Sequence, residues 1–504
     1  MKIKVRKGLL EGSRADALAI FVFENGLKVL SGAAARIDKA AGGIIKELLE
    51  SGDFRGKPNE AVILYTRGNF PSRRLLLAGL GKKEDAGVEV FRRAMACAVR
   101  KATGLKLKSL AVSLEIETGD AIESLAAAAV EGAALSCYRF DCFQKEESGR
   151  NCIEALEICE PDSVKLKKIE AAANCAEAAC SAVLFARDLA CGPSNQVTPR
   201  LLSRQAAACS GKKLRVKTFG PAEMKKLGMN AVLGVAQGSS EPAAFIEMHY
   251  KGNKPSAGTV VLVGKAITFD SGGISLKPAD KMEEMKADMS GGAAVIAVLK
   301  AAAEMKLPVN VVGLIPAAEN LPGGKAYKPG DILKSYSGLS IEVISTDAEG
   351  RLLLADALGY AAKFKPAAVI DIATLTGACQ VALGDRVSGM FGTDEKIKSL
   401  LRQAAEETGE PVWELPLVDD YKELIKSDVA DLKNTGGRAG GAITAALFLK
   451  RFVDPLPWAH LDIAGPAWSA AEKGYLPKGA TGFGVRLLLS FLRRWPENQA
   501  DRQR

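Results

Sequence analysis

The sequence predicts an α/β protein of two domains, a smaller N-terminal α/β domain and a larger C-terminal α/β domain whose mixed sheet is covered by helices. Three observations carry this. The chain has 504 residues, beyond the length at which a single hydrophobic core stops growing. Short β-rich runs alternate with helical periods through both halves. A turn-forming stretch, Glu160-Pro161-Asp162-Ser163, precedes a long Ala-rich helical segment and divides the two halves.

In the first half, 17–23, 61–66, 75–80 and 110–114 read as strands, and 88–103 and 121–137 as helices. The domain spans 1–163, and the segment 164–190 is a connecting helix. The second domain spans 191–493, and 494–504 is a polar tail expected to fray. In the second domain, 259–263, 309–315, 341–344, 367–372 and 459–463 are Val-, Ile- and Leu-rich runs that read as buried strands. Helical periods occupy 292–305, 352–363 and 442–453. Such alternation builds a mixed or mostly parallel sheet with helices on both faces, and ligands then sit at the carboxyl ends of the strands.

Composition excludes several classes. With 48% hydrophobic and 25% charged residues, the mix is that of a soluble globular protein. The net charge of +9 is spread thinly over the chain. It permits nucleic-acid binding, but no basic stripe or recognition element supports it; pairs such as Arg73-Arg74 and Arg92-Arg93 read as solvated surface. The N-terminus has no apolar segment before a cleavage site. No apolar run is long enough to span a bilayer, since the longest, 366–384, is broken by Asp371. A cytoplasmic protein is expected. Its ten cysteines include no C-x-x-C pair, and they read as small apolar fillers in a reduced protein.

Two segments carry chemistry. One runs from Gly264-Lys265 through Phe269-Asp270-Ser271-Gly272-Gly273 and Lys277-Pro278 to Met285-Lys286-Ala287-Asp288. The other is Ser345-Thr346-Asp347-Ala348-Glu349-Gly350-Arg351-Leu352. Both follow expected strands. Singly, each has a plain reading: Asp-Ser-Gly-Gly is a turn, Asp-x-Glu a helix start, and Gly-Lys is no phosphate loop without the rest of that pattern. Jointly they bring four carboxylates, Asp270, Asp288, Asp347 and Glu349, beside Lys265, Lys277 and Arg351. Carboxylates that dense repel one another unless cations neutralise them. The chain has two histidines, His249 and His460, and no H-E-x-x-H. A metal site here is therefore carboxylate-rich, which favours a bridged pair of ions about 3.5–4 Å apart.

These segments resemble the leucine aminopeptidase (cytosol aminopeptidase) family of two-metal metallopeptidases. The likeness extends to Asp371-Ile372-Ala373-Thr374-Leu375-Thr376-Gly377-Ala378, to Asp431-Leu432-Lys433-Asn434 and to Trp458-Ala459-His460-Leu461-Asp462-Ile463-Ala464-Gly465, and covers about 165–490. The N-terminal part resembles the family in length and α/β character only. The resemblance implies an enzyme that releases single N-terminal residues, leucine and other apolar ones preferred, from peptides with a free N-terminus. It implies two divalent ions per subunit, Mn2+ or Zn2+, held by Lys265, Asp270, Asp288, Asp347 and Glu349. Lys277 would polarise the scissile carbonyl, and Arg351 would hold a bicarbonate that takes the proton of the attacking water. Lys277, Asp288, Met285, Thr374, Leu375 and Gly377 would contact substrate, with Ala378 a further wall; for Met285, ordinary core packing is an equal reading. A homohexamer is implied as well. His460 fits the pattern but reads as a structural histidine. Ser345 stands where the family has Asn, which predicts altered hydrogen bonding of the loop, with activity kept. The rival readings are a two-metal phosphatase, a DNA-binding regulator and an inactive scaffold. The last is opposed by the presence of all seven expected site residues.

Overall fold

The computed structural model describes residues 1–24, 30–145, 152–252 and 258–500. It divides into two compact units. The first comprises Met1–Ser181 with Ala471–Lys478, and the second begins at Ala182 and lacks that short segment. The division thus falls inside the helix Ser163–Cys191, which the sequence places at 164–190 as the connector.

The first unit is built on a six-stranded sheet. Its strands are β1 (Lys2–Lys7), β2 (Ala17–Phe23), β3 (Ala61–Tyr65), β4 (Arg74–Gly81), β5 (Ser109–Ser113) and β6 (Ala155–Glu160), in the order β1-β6-β5-β2-β4-β3. All pairs are parallel except β3 with β4. β2 reads ALAIFVF and is buried along nearly its whole length, as a strand covered on both faces must be. The helices Val88–Gly104 and Ile122–Ser136 pack on each other. β1 escapes the sequence reading because its Lys and Arg residues alternate with half-buried Ile3 and Val5, the pattern of a charged edge strand.

Two expectations are corrected here. Cys137, at the end of the helix Ile122–Ser136, is disulfide-bonded to Cys152, so the cysteines are not all reduced fillers. Their Cα atoms stand 6.0 Å apart, within disulfide reach, a proximity that a separation of 15 residues cannot announce. Cys97, Cys159, Cys180, Cys191 and Cys379 are buried as expected, and Cys142 is exposed. The helix Ser163–Cys191 is also long and apolar enough, by length and composition, to cross a membrane, where no such run was expected. Its buried positions Ile169, Ala173, Ala176, Cys180 and Val183 recur every three or four residues, the periodicity of a helix that turns one face to a protein core.

The second unit holds a nine-stranded mixed sheet and a small three-stranded one. Its strands are β7 (Leu214–Phe219), β8 (Ala244–Tyr250), β9 (Thr259–Gly264), β10 (Ala266–Asp270), β11 (Asn310–Asn320), β12 (Ile332–Lys334), β13 (Ser340–Glu342), β14 (Ala368–Ala373), β15 (Ser388–Gly392), β16 (Val412–Glu414), β17 (Leu432–Lys433) and β18 (Trp458–Asp462). The large sheet runs β16-β15-β18-β14-β9-β11-β8-β7, and β10 pairs with the far end of β11. Its centre, β18-β14-β9-β11, is parallel. Val261 and Val263 of β9 and Val312 and Leu314 of β11 share a buried cluster with Leu352 and Leu353 of the helix Gly350–Ala361. On the opposite face, Gly313 lies against Val295 and Leu299 of the helix Ser290–Glu304. Helices therefore cover both faces, as expected. The run expected at 341–344 is not part of this sheet. Its first two residues fall in β13, which pairs with β12 and β17 in the small sheet, and 343–344 lie beyond the strand. The last helix, Val485–Ala500, continues through most of the segment expected to fray from 494; residues 501–504 lie outside the described residues.

Candidate metal centre

Chain direction brings the charged residues together. β9 ends at Gly264, β10 ends at Asp270 and β14 ends at Ala373, so Lys265, Asp270 and Thr374 all emerge at the carboxyl edge of parallel strands. Asp288 follows the short helical turn Met282–Ala287 and precedes the helix Ser290–Glu304. That helix begins hard against the strands: a Cβ on Gly291 would lie 2.1 Å from the Ile372 carbonyl oxygen. Asp347 and Glu349 come from the loop after β13, and Glu349 immediately precedes the helix Gly350–Ala361 without capping it through its side chain.

Lys265 is 2% exposed and its Nζ is surrounded by acceptors. It meets Asp288 Oδ1 and Oδ2 at 2.8 and 2.7 Å, Glu349 Oε1 at 2.8 Å and the Thr374 carbonyl oxygen at 2.9 Å. Lys277 donates to Asp270 Oδ2 at 2.8 Å and pairs with Asp347. Oxygens of Asp270, Asp347 and Glu349 come within 4.8 Å of one another. Asp347 is exposed and Lys277 half-buried, whereas Asp270, Asp288 and Glu349 are buried. Six of the seven expected residues thus form one cluster.

The seventh, Arg351, is 7% exposed and donates from Nη1 to the Asn434 carbonyl oxygen at 2.8 Å. Its Nε is buried without a hydrogen-bond partner. Burial pushes its pKa down to about 10, against the pull of Glu349 and Asp462.

The electrostatics show a shortage of positive charge. Burial alone would lower the pKa of Lys265, yet Asp288, Glu349 and Asp270 outweigh it and raise the value. Lys277 is raised in the same way by Asp270, Glu349 and Asp347. Asp288 is pushed up to about 8, first by burial and then by Glu349 and Asp270, with Lys265 opposing. Burial and like charge also raise Glu349 and Asp347. Four carboxylates face two ammonium groups, and Glu349 Oε2 is buried with no hydrogen-bond partner. An oxygen-rich, negatively biased nest with an unspent buried carboxylate oxygen fits a divalent cation.

The residues expected to touch substrate sit unequally. Thr374 donates from Oγ1 to Asp288 Oδ1 at 2.7 Å. Leu375 donates its N–H to Asp462 Oδ1 at 3.1 Å. Met285 is half-buried, and its carbonyl oxygen accepts the Asp288 N–H. Gly377 is exposed and opens the helix Gly377–Leu383.

Sequence reasoning misses the residues that hold the cluster in place. Asn434, fully buried, donates from Nδ2 to the Ser345 and Ala348 carbonyl oxygens at 2.7 and 3.4 Å, and its Oδ1 accepts the Ile344 and Ser345 N–H groups. It ties together the loop that carries Asp347. Its place in Asp431-Leu432-Lys433-Asn434 is a signal that could have marked it. Ser345 Oγ accepts the Asp347 N–H at 3.3 Å, a bond internal to the loop. Asn320, at the end of β11, carries no motif at all, yet it bridges both segments at Asp270 and Thr346. His460 is fully buried, with Nδ1 2.5 Å from Asp371 Oδ1 and its ring stacked with those of Phe391 and Trp458.

Comparison with known proteins agrees with the geometry. The profile of the cytosol aminopeptidase family catalytic domain matches residues 184–489, and that of the family's N-terminal domain matches 19–147. The N-terminal half therefore carries the family's sequence as well as its α/β character. A probable cytosol aminopeptidase of Geobacter sp. (strain M21) is 48% identical over 91% of this chain and 93% of its own length. One from Alkaliphilus oremlandii (strain OhILAs) is 42% identical over 97% and 98%. Among solved structures, a tomato leucine aminopeptidase mutant superposes with a TM-score of 0.88 at 34% identity, covering 98% of this chain and 96% of that one. The bottromycin maturation enzyme BotP in complex with Mn gives 0.84 at 34% identity, covering 95% and 99%. With the family's profiles spanning both halves and relatives aligned almost end to end, the chain belongs to the cytosol aminopeptidase family.

Proposed function

We propose that this protein is a two-metal aminopeptidase that releases single residues, leucine and other apolar ones preferred, from peptides with a free N-terminus. The observation that carries the reading is the imbalance at the cluster, where four carboxylates crowd two lysines and one buried Glu349 oxygen has no partner. Asp270, Asp288, Asp347, Glu349 and a neutral Lys265 would hold two divalent ions, Mn2+ or Zn2+. When bound, such ions supply Lewis-acid polarisation and an acidified attacking water.

The remaining roles belong to the protein. Asp288 offers a carboxylate to the substrate's α-ammonium group, which limits cleavage to the first residue. Lys277 keeps an ammonium beside the reacting carbonyl, where fixed positive charge stabilises the developing alkoxide. Arg351 presents an unpartnered buried Nε–H, and a planar guanidinium suits a bicarbonate that receives the water's proton. Thr374, Leu375, Met285 and Gly377 line the entrance for the first side chain. Family membership also supports a cytoplasmic homohexamer.

The test compares leucine p-nitroanilide with p-nitrophenyl phosphate, each with added Mn2+ or Zn2+. Metal-dependent release from the anilide and none from the phosphate ester is expected. The reverse result would transfer the site to phosphoryl chemistry.

A further inference from the structure

We infer that Asn320 is a positioning residue of the metal centre: its side-chain amide sets which oxygen of Asp270 faces the ions, and it locks the two ligand-bearing segments into one register. This deepens the function proposed above and rests on it.

Asn320 is fully buried at the end of β11. Its Nδ2 donates to Asp270 Oδ1 at 2.8 Å and to the Thr346 carbonyl oxygen at 2.9 Å. One partner belongs to the Asp270-Ser271-Gly272-Gly273 turn and the other to the Thr346-Asp347-Ala348-Glu349 loop. Both are acceptors, so a flipped amide would aim its oxygen at two oxygens, and the orientation is fixed. Asp270 Oδ1 also accepts the Gly272 N–H at 2.9 Å. With Oδ1 held by two donors, Oδ2 is the oxygen left for the cluster, where it meets Lys277. Outer partners of this kind orient a ligand and tune its basicity.

The surroundings are shaped to the amide. Asn320 Oδ1 is buried with no hydrogen-bond partner, and a Cβ on Gly273 would lie 2.7 Å from it. Gly273 also has φ +67, a conformation that favours glycine. The second glycine of the turn is thus required both by its backbone and by the space Asn320 fills. The main chain of Asn320 is engaged separately: its carbonyl oxygen accepts the Ser271 N–H at 3.0 Å and the Ser271 hydroxyl at 2.8 Å. A side-chain substitution leaves those bonds in place.

The experiment uses the full chain and Mn2+ alone as the probe. Calorimetric Mn2+ titration, far-ultraviolet circular dichroism without metal, and kcat and KM on leucine p-nitroanilide are measured for wild type, Asn320→Ala, Asn320→Ser and Gly273→Ala. The expected result is folded variants whose Mn2+ affinity falls about 10–100-fold, as for other outer partners, with the loss in activity at limiting Mn2+ lying in kcat and largely restored by excess Mn2+. Folded variants with Mn2+ affinity and kcat within about twofold of wild type would overturn the inference, as would loss of fold in both Asn320 variants, which would make the residue structural. A wild type that takes up no Mn2+ would instead sink the function on which the inference rests.

Discussion

A methyl group at Gly350 would lie 2.5 Å from Cε and 2.7 Å from Nζ of Lys265. The lysine's far end is ordinarily free to give way, but here Asp288, Glu349 and the Thr374 carbonyl oxygen hold it. Gly350→Ala therefore has to displace a pinned, buried ammonium, and overpacking of this kind costs about 1–3 kcal/mol. The variant is expected to melt earlier than wild type without metal and to require more Mn2+ for half-maximal turnover. Unchanged melting and unchanged metal demand would mean that Lys265 is looser than the contacts indicate. The acidic residues of the cluster are legible in the sequence only when they are taken together. Asp270, Asp347 and Glu349 lie beside glycines in short contiguous segments, and that density of like charge has few explanations other than a cation. Asn320 lies beyond the strand read at 309–315 and belongs to neither of the two acidic segments. Its role exists only once β10 and β11 are paired.

Strand pairing creates a second buried device. In the parallel pair β14–β18, Asp371 stands opposite His460, and Asp371 also accepts the indole N–H of Trp458 at 2.6 Å. Burial would lower the His460 pKa, but the Asp371 carboxylate outweighs it and holds it above the ordinary histidine value. An imidazolium whose pKa rises on folding adds stability that is present in full below its unfolded value of about 6.5. That stability is lost as pH rises through the folded value. His460→Gln should therefore lower the urea midpoint most near pH 6, where breaking a buried pair costs about 3–5 kcal/mol. The gap to wild type should narrow as pH rises. A gap independent of pH would show that the His460 pKa does not change on folding, and a gap that widens as pH rises would show that the buried imidazole is neutral. Elements with strong patterns, such as β2, β9, β11 and the helices Ser290–Glu304 and Gly350–Ala361, are readable from runs of apolar residues or their period. β13 is misplaced by the same reasoning, because a run of Ile and Val says that a strand is buried but not which sheet it joins.

For the whole chain, the sequence carries the two-part α/β architecture and the gathering of the charged cluster at the carboxyl edge of a mixed sheet. It does not carry what depends on contact between distant segments: the Cys137–Cys152 disulfide, the burial that accounts for the apolar helix Ser163–Cys191, and the return of Ala471–Lys478 to the first unit. The charge imbalance at the cluster is likewise a property of the folded protein, since it arises only when the two acidic segments meet. The measurement that tests this most directly is the number of ions bound per chain after equilibration with excess Mn2+ and removal of free metal, taken for wild type and Asp347→Ala alongside leucine p-nitroanilide turnover. The expected result is two ions per wild-type chain, with fewer ions and little turnover in the variant. A wild-type chain that retains no Mn2+, or a variant that keeps both its ions and its turnover, would contradict it.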